Sequence, residues 1–426
     1  MNTTNTLSPA SNRAHRSPSI VHRIYYGYIL VATASSIMIF LIGTYSTFGV
    51  FFKPVLNEFG WTRAMTSGAF SLSWLMQGLL AILMGRLTDR FGPRMVIALC
   101  GLLTGLGFML MAKLGAVWEF YLFFGIIGTG LSGANVSLMS TVARWFVKRR
   151  GVMTGFVMAG GGIGSFIGPP FAERLISAYD WRSSYIILGI LVLIYVILAA
   201  QLLKRDPEEI GQLPRGMDKD GNRQAASRTG SFSFRQAVST IQFWKIFIMF
   251  FCLGFCAYAI IVHIAPHATD QGIPAHTAAR ILATIGGLVI LGRIIMGAVG
   301  DRIGNKRAFI IGYVLGMAAF LWLVPADQAW MLYLAAGLFG FSWGIGALGS
   351  PLVAGTFGLS SHGLNLGVIN FGYSVGAAVG PFITGYIFDV GHSYRFAFMV
   401  CAALAFFGLI STLLLKQKIS KPMEDM

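Results

Sequence analysis

The chain is built from long apolar runs punctuated by short polar, glycine- and proline-bearing turns. A helix rises about 1.5 Å per residue and a bilayer core is about 30 Å thick, so a span needs roughly 20 apolar residues. Twelve runs meet that length, at about 25–51, 65–85, 94–114, 117–142, 150–172, 183–203, 242–267, 276–299, 308–325, 328–356, 364–388 and 395–415. Their length and near-absence of charge predict helices, the single-segment structure that satisfies its own backbone in lipid. Composition agrees: 55% of the 426 residues are hydrophobic, 11% are charged and the mean hydropathy is +0.70, which excludes a water-soluble domain. The expected fold class is an all-α, multi-pass membrane protein.

The polar interruptions divide the chain. Residues 1–24 are rich in Ser and Asn with Pro9 and Pro18, and lack the apolar core of a cleaved signal peptide, so they read as a tail. The segment RDPEEIGQLPRGMDKDGNRQAASRTG breaks the apolar pattern a second time and marks a linker over 204–241. Two six-helix halves are expected on either side, 25–203 and 242–415, with a C-terminal tail over 416–426. With both termini cytoplasmic, 24 of the 32 Lys and Arg fall on the cytoplasmic side, as basic residues retained on that face should. The formal charge of +16 is therefore a topology signal, and with no spacing of a nucleic-acid module it gives no reason to expect nucleic acid as a partner.

The halves repeat. GRLTDRFGPR carries Gly85, Leu87, Asp89, Arg90, Gly92 and Arg94, and adding 212 gives Gly297, Val299, Asp301, Arg302, Gly304 and Lys306. The same offset converts Gly160, Gly164, Gly168 and Pro169 into Gly372, Gly376, Gly380 and Pro381, and Pro54 into Pro266. One offset fitting three separated landmarks predicts two parallel six-helix repeats.

Against this background one residue is out of place. Arg293 lies in the apolar eighth run, eight residues before Asp301, where a charged turn marks the interface. That places it roughly 12 Å into the membrane, near the midplane. A long basic side chain near a helix end can snorkel, but at this depth a cation costs on the order of 2.5–3.5 kcal/mol and usually faces a bundle interior or cavity. Gly286, Gly297 and Gly300 share its helix face, which suits close packing or a cavity wall.

The repeated GxLxDRxGxR turn, the small-xxx-small run ending in Gly-Pro and the central linker resemble the major facilitator superfamily over essentially the whole chain. That resemblance implies a cytoplasmic latch in which Asp89 with Arg90 and Arg94, and by repetition Asp301 with Arg302, pair across the halves. The bland alternative is that these charges only anchor turns at the headgroups. Within the superfamily, the stretch YYGYILVATASSIMIFLIGTYSTFGVFFKPVLNEFGWTRA and the lone Arg293 are similar to the monocarboxylate and oxalate/formate porters. An Arg can hold a carboxylate through two parallel charge-assisted hydrogen bonds. The chain departs from the oxalate exchanger in having no Lys or Arg between Gly363 and Tyr394, and from the animal carriers in having Val289 where they place an Asp. One cation favours one carboxylate.

The implied function is secondary transport of a small lactate- or pyruvate-like monocarboxylate, coupled to a proton or a counter-anion. The alternatives are oxalate/formate-type anion exchange and a nontransporting carboxylate sensor. Tyr45, Asn135, Tyr258, Asn370 and Tyr373 are further candidates to line the cavity, though such groups more often serve helix packing. His263, in the outer part of the seventh run, is the candidate proton group, since its ordinary pKa lies near neutrality. A monomer in a bacterial inner membrane is expected. Enzymatic chemistry finds no support: Cys100, Cys252, Cys256 and Cys401 lie in spans without CxxC spacing, and the glycine-rich AGGGIGSFIGPP follows no strand and lacks a phosphate-loop Lys. No metal site and no cofactor are expected.

Overall fold

The computed structural model describes residues 25–61, 63–216 and 232–416; the expected N-terminal tail, the centre of the linker and nearly all of the C-terminal tail lie outside the described residues. Among the described residues, twelve helices are long and apolar enough to cross a membrane. They are α1 (Tyr26–Tyr45), α2 (Arg63–Phe91), α3 (Pro93–Met111), α4 (Val117–Trp145), α5 (Arg150–Ala178) and α6 (Trp181–Ala200), followed after the linker by α7 (Ile241–Asp270), α8 (Ala275–Ile303), α9 (Asn305–Leu323), α10 (Ala329–Phe357), α11 (His362–Gly391) and α12 (Arg395–Leu413).

Packing follows the repeat. In the first half α1 lies on α5, α2 on α4, and α3 on both α4 and α6; in the second, α7 lies on α11, α8 on α10, and α9 on both α10 and α12. The halves meet where α2 crosses α11 and α5 crosses α8. Lipid offers helices no hydrophobic incentive to associate, so close backbone approach through small residues carries much of the packing. A Cβ on Gly160, Gly164 or Gly168 would lie 2.4, 2.3 or 2.2 Å from the carbonyl oxygen of Ser35, Ile39 or Gly43 on α1. Adding 212 to these partners gives Phe247, Phe251 and Phe255 on α7, and these are the residues against which Gly372, Gly376 and Gly380 of α11 pack. Apolar side chains such as Leu198 of α6 and Phe407 of α12, each more than half exposed, form the outer surface a bilayer covers.

Two details depart from uninterrupted runs. The first run ends as a helix at Tyr45, and a separate short helix, Phe48–Phe59, carries Pro54. The tenth changes to a 3-10 turn over Gly344–Leu348. The break has a packing reason: a Cβ at Gly344 would lie 2.1 Å from the Gly292 carbonyl carbon, so the bare backbone of α10 presses directly on α8 beside Arg293.

Candidate functional site

Arg293 is fixed by backbone before its side chain makes any contact. α10 packs against Gly292 through Gly344, while on the other side Gly155 of α5 brings its Cα next to the Arg293 carbonyl, where a Cβ would lie 2.4 Å away. α8 is thus wedged between its own half and the opposite one at this residue. From there the guanidinium reaches across the interface, and Nη1 donates to the Met158 carbonyl of α5 at 2.6 Å. No carboxylate forms an ion pair with Arg293 among the described residues. A guanidinium with a main-chain carbonyl as its hydrogen-bond partner among the described residues retains donors for an incoming anion.

The nearby polar groups are two tyrosines, Tyr258 of α7 and Tyr373 of α11, which act electrostatically on the guanidinium. The Tyr258 ring packs edge-on against Trp74 of α2 at 5.1 Å, Trp343 of α10 at 6.3 Å and Tyr373 at 6.4 Å. Trp343 also faces the Tyr373 hydroxyl. Tyr45 joins this cluster from the first half, edge-on to Trp74 at 6.1 Å and stacked on Phe70 at 4.9 Å, with its buried hydroxyl towards Ser73 and Gln77. The structure therefore brings Arg293, Tyr258, Tyr373 and Tyr45 together at the centre of the interface, with the aromatic contact between Trp74 and Tyr258 spanning the halves.

Asn370 and Asn135 stand apart. The offset of 212 relates Ala81 to Arg293 and Met158 to Asn370, and Gly367 of α11 packs against the Ala81 carbonyl as Gly155 packs against that of Arg293. Asn370 thus lies at the mirror position of the Met158 carbonyl, at the α2–α11 crossing. Asn135 is partly buried on α4, and among the described residues no hydrogen bond or ring contact joins either Asn to Arg293. His263 is elsewhere, binding α7 to α11: its Nε2 lies 3.0 Å from the Pro381 carbonyl and its Nδ1 3.2 Å from the Tyr394 hydroxyl. A carbonyl only accepts, so Nε2 carries the proton and Nδ1 accepts from Tyr394.

A second constellation closes the end of the bundle that carries most of the basic turns. The Asp89 carboxylate of α2 accepts from the Gly363 and Leu364 N–H groups at 3.0 and 2.9 Å, across the halves, at the start of α11. The Asp301 carboxylate of α8 accepts from the Gly151 and Val152 N–H groups, both at 2.8 Å, at the start of α5. Adding 212 to Gly151 and Val152 gives Gly363 and Leu364, so the two caps are one device used twice. Free N–H groups and the positive end of the helix dipole explain why a carboxylate settles there. The turns pivot on Gly92 and Gly304, whose φ of 83° and 94° a side chain would resist.

The arginines differ from the pairing implied by resemblance. Arg90 lies over the Phe91 ring at 5.1 Å, and Arg90, Arg94 and Arg302 are exposed and form no ion pair among the described residues. Asp89 instead has Arg144 of α4 at 3.4 Å, and Arg144 donates at 2.9 Å to the Leu359 carbonyl of the second half. In this arrangement the carboxylates and Arg144 turn inward, while Arg90, Arg94 and Arg302 reach outward to water. Arg144 was hidden in sequence because it opens a basic run, WFVKRR following it, that reads entirely as topology.

Two six-helix repeats that meet along two crossings, with one uncompensated cation at the centre and matched caps at one end, define a membrane transporter. The family comparison gives the particular assignment. The family model described as Major Facilitator Superfamily matches residues 33–347 and 268–424, and the chain belongs to that family of transporters, which are not enzymes. It is 26% identical to Monocarboxylate transporter 12 of Rattus norvegicus, over 94% of this chain and 87% of that one. It is also 26% identical to the Uncharacterized MFS-type transporter YhjX of Escherichia coli strain K12, over 79% of this chain and 83% of that one. Among solved structures, the MFS transporter FucP in its outward conformation superposes with a TM-score of 0.70 at 16% identity, covering 92% of this chain and 100% of that chain.

Proposed function

We propose that the chain is a secondary transporter that carries a small monocarboxylate, lactate- or pyruvate-like, by alternating access. The observation that carries this reading is the isolated Arg293, held at the interface with a main-chain carbonyl as its hydrogen-bond partner and two tyrosine hydroxyls nearby. A carboxylate would take the guanidinium in place of, or beside, the Met158 carbonyl, while Tyr258 and Tyr373 supply donors for a hydroxyl or keto oxygen. The similarity to proteins named monocarboxylate transporters supports the same class. A dianion such as oxalate would leave one carboxylate buried without a cation, at a cost of several kcal/mol.

In this reading the basic end is cytoplasmic, the membrane is a bacterial inner membrane and the working unit is a monomer. Asp89 and Asp301, with Arg144, form the cytoplasmic gate, and Arg90, Arg94 and Arg302 flank it. With both caps formed, the cavity opens to the opposite side, where Gly286 and Gly287 of α8 face open space. Tyr45, Asn135 and Asn370 belong to the cavity walls, and His263 is the proton group that couples uptake to a pH gradient. The test is a thermal-shift series on the purified protein, since a ligand that prefers the native state raises its melting temperature. Pyruvate, lactate or propionate should raise it more than equal concentrations of oxalate or malonate. A larger shift with the dianions would replace this reading with oxalate-type exchange.

A further inference from the structure

Away from Arg293 and the aspartate caps, the basic end holds a recess of about 250 Å³ between the first turn of α1, the α4–α5 connection and the linker. Tyr28, Phe146 and Met153 give it an apolar floor, and Lys148, Arg149 and Arg215 its rim. Backbone contacts build it. Arg215 N–H donates to the Trp145 carbonyl at 3.0 Å, and the Arg215 carbonyl accepts from Val147 and Lys148 N–H, so the linker pairs with the connection as an isolated parallel bridge. The Tyr25 hydroxyl adds a donor to the Trp145 carbonyl at 2.8 Å and accepts from Arg215 N–H at 3.1 Å. These bonds hold the Arg215 guanidinium over the Tyr28 ring, 4.6 Å from its centre, while Arg149 adopts a left-handed φ of 63°.

Three cations thus converge although none of them forms an ion pair among the described residues. Asp301 acts on Arg149 electrostatically, but both of its oxygens are engaged by Gly151 and Val152. Retention of basic residues on one face explains which end they occupy; it does not explain their convergence over an aromatic floor. Tyr28 is the third residue of α1 and Met153 the fourth of α5, so the floor lies where spans leave the bilayer and the cationic rim at headgroup level. An occupant must carry a compact anion above an apolar body. We propose that this recess binds the phosphate of an anionic phospholipid headgroup, with the lipid's glycerol and upper chains against Tyr28, Phe146 and Met153. The bound lipid clamps the linker to the α4–α5 connection, next to the N–H groups that Asp301 caps. This proposal does not depend on which substrate the transporter carries.

The test is a titration of the purified full-length chain in non-ionic detergent with phosphatidylglycerol and phosphatidylcholine of identical acyl chains, read by native mass spectrometry. The parent should retain phosphatidylglycerol selectively. Near a surface each basic residue contributes about 1 kcal/mol, roughly fivefold, to attraction of an anionic lipid. Arg215→Gln should therefore weaken retention about fivefold, and Lys148→Gln/Arg149→Gln/Arg215→Gln by more than about tenfold. Arg215→Lys, and Arg235→Gln outside the recess, should retain lipid as the parent does. Equal retention of the two lipids by the parent, or parental retention by the triple variant, would overturn the site. Displacement of the lipid by equimolar inorganic phosphate would reassign it to a free anion.

Discussion

At the scale of single residues, Arg293 is a cation whose backbone is immobilised on two sides and whose guanidinium has, among the described residues, a carbonyl oxygen as its hydrogen-bond partner. Its planar fork matters more than its charge, because an ammonium cannot offer two parallel donors to a carboxylate. Arg293→Ala and Arg293→Lys should both insert and fold yet bind pyruvate at least about tenfold more weakly by calorimetry, since a charged hydrogen bond contributes about 1.5–3 kcal/mol. Parental affinity in the Lys variant would remove the fork from the site. His263 makes a separate prediction. To take a second proton, its Nδ1 must stop accepting from Tyr394 and donate instead, which makes the contact of α7 with Tyr394, just before α12, sensitive to protonation while the Nε2 bond to Pro381 of α11 stays. His263→Gln should keep ligand binding and exchange of internal for external substrate, but lose uptake driven by a pH gradient; equal pH-driven uptake would clear it of the role. Arg293 was legible in the sequence as a lone cation in an apolar run. The Met158 carbonyl was not, because a main-chain acceptor leaves no mark in residue type, and neither was Trp74, because an aromatic in an apolar helix ordinarily signals packing.

The proposed gate belongs to the scale of elements. Because Asp89 and Asp301 cap α11 and α5 through equivalent N–H pairs, each substitution should weaken the same kind of closure. Loss of a charged cap costs about 0.5–2 kcal/mol, enough to shift a two-state equilibrium severalfold without unfolding the helix. Asp89→Asn and Asp301→Asn should each bind substrate but transport it more slowly, with spin labels across the basic end reporting a larger open fraction. Loss of binding together with flux would contradict a gating role. At the opposite end, the short helix Phe48–Phe59 is tied to α6 by Glu58, which accepts from Trp181 Nε1 at 2.7 Å and pairs with Arg182. The Arg182 hydrogen bond, helped by that of Trp181, holds the Glu58 carboxyl below the usual range for glutamate. A lowered folded-state value means that the tie contributes fully above the ordinary glutamate pKa of about 4.3 and is lost as pH falls through the lowered one. Glu58→Gln should therefore melt below the parent at neutral pH, and the difference should shrink in acid; a difference independent of pH would deny the ion pair any part. The spans were legible from hydropathy, but the 3-10 break in α10 was not, because Gly344–Leu348 is as apolar as the helix around it and hydropathy does not register a change of backbone hydrogen bonding.

For the whole molecule, the decisive feature is the repeat. One offset relates the helix pairs within each half, the glycine contacts that seat them and the aspartates that close one end. It was legible because the turn motif and the Gly-Pro run survive in both halves. It breaks at Arg293, whose counterpart is Ala81, and at Asn370, whose counterpart is Met158, so the two halves share a frame but not a centre. That pattern suits alternating access, in which a symmetric frame rocks about an asymmetric binding group. The most direct measurement is uptake of labelled pyruvate into liposomes holding the purified parent or Arg293→Ala, with equal protein incorporated and the lumen made alkaline. The parent should accumulate pyruvate above its external concentration and lose that accumulation when the gradient is collapsed, while the Ala variant remains at the level of empty liposomes. Accumulation by Arg293→Ala equal to that of the parent would contradict the central assignment.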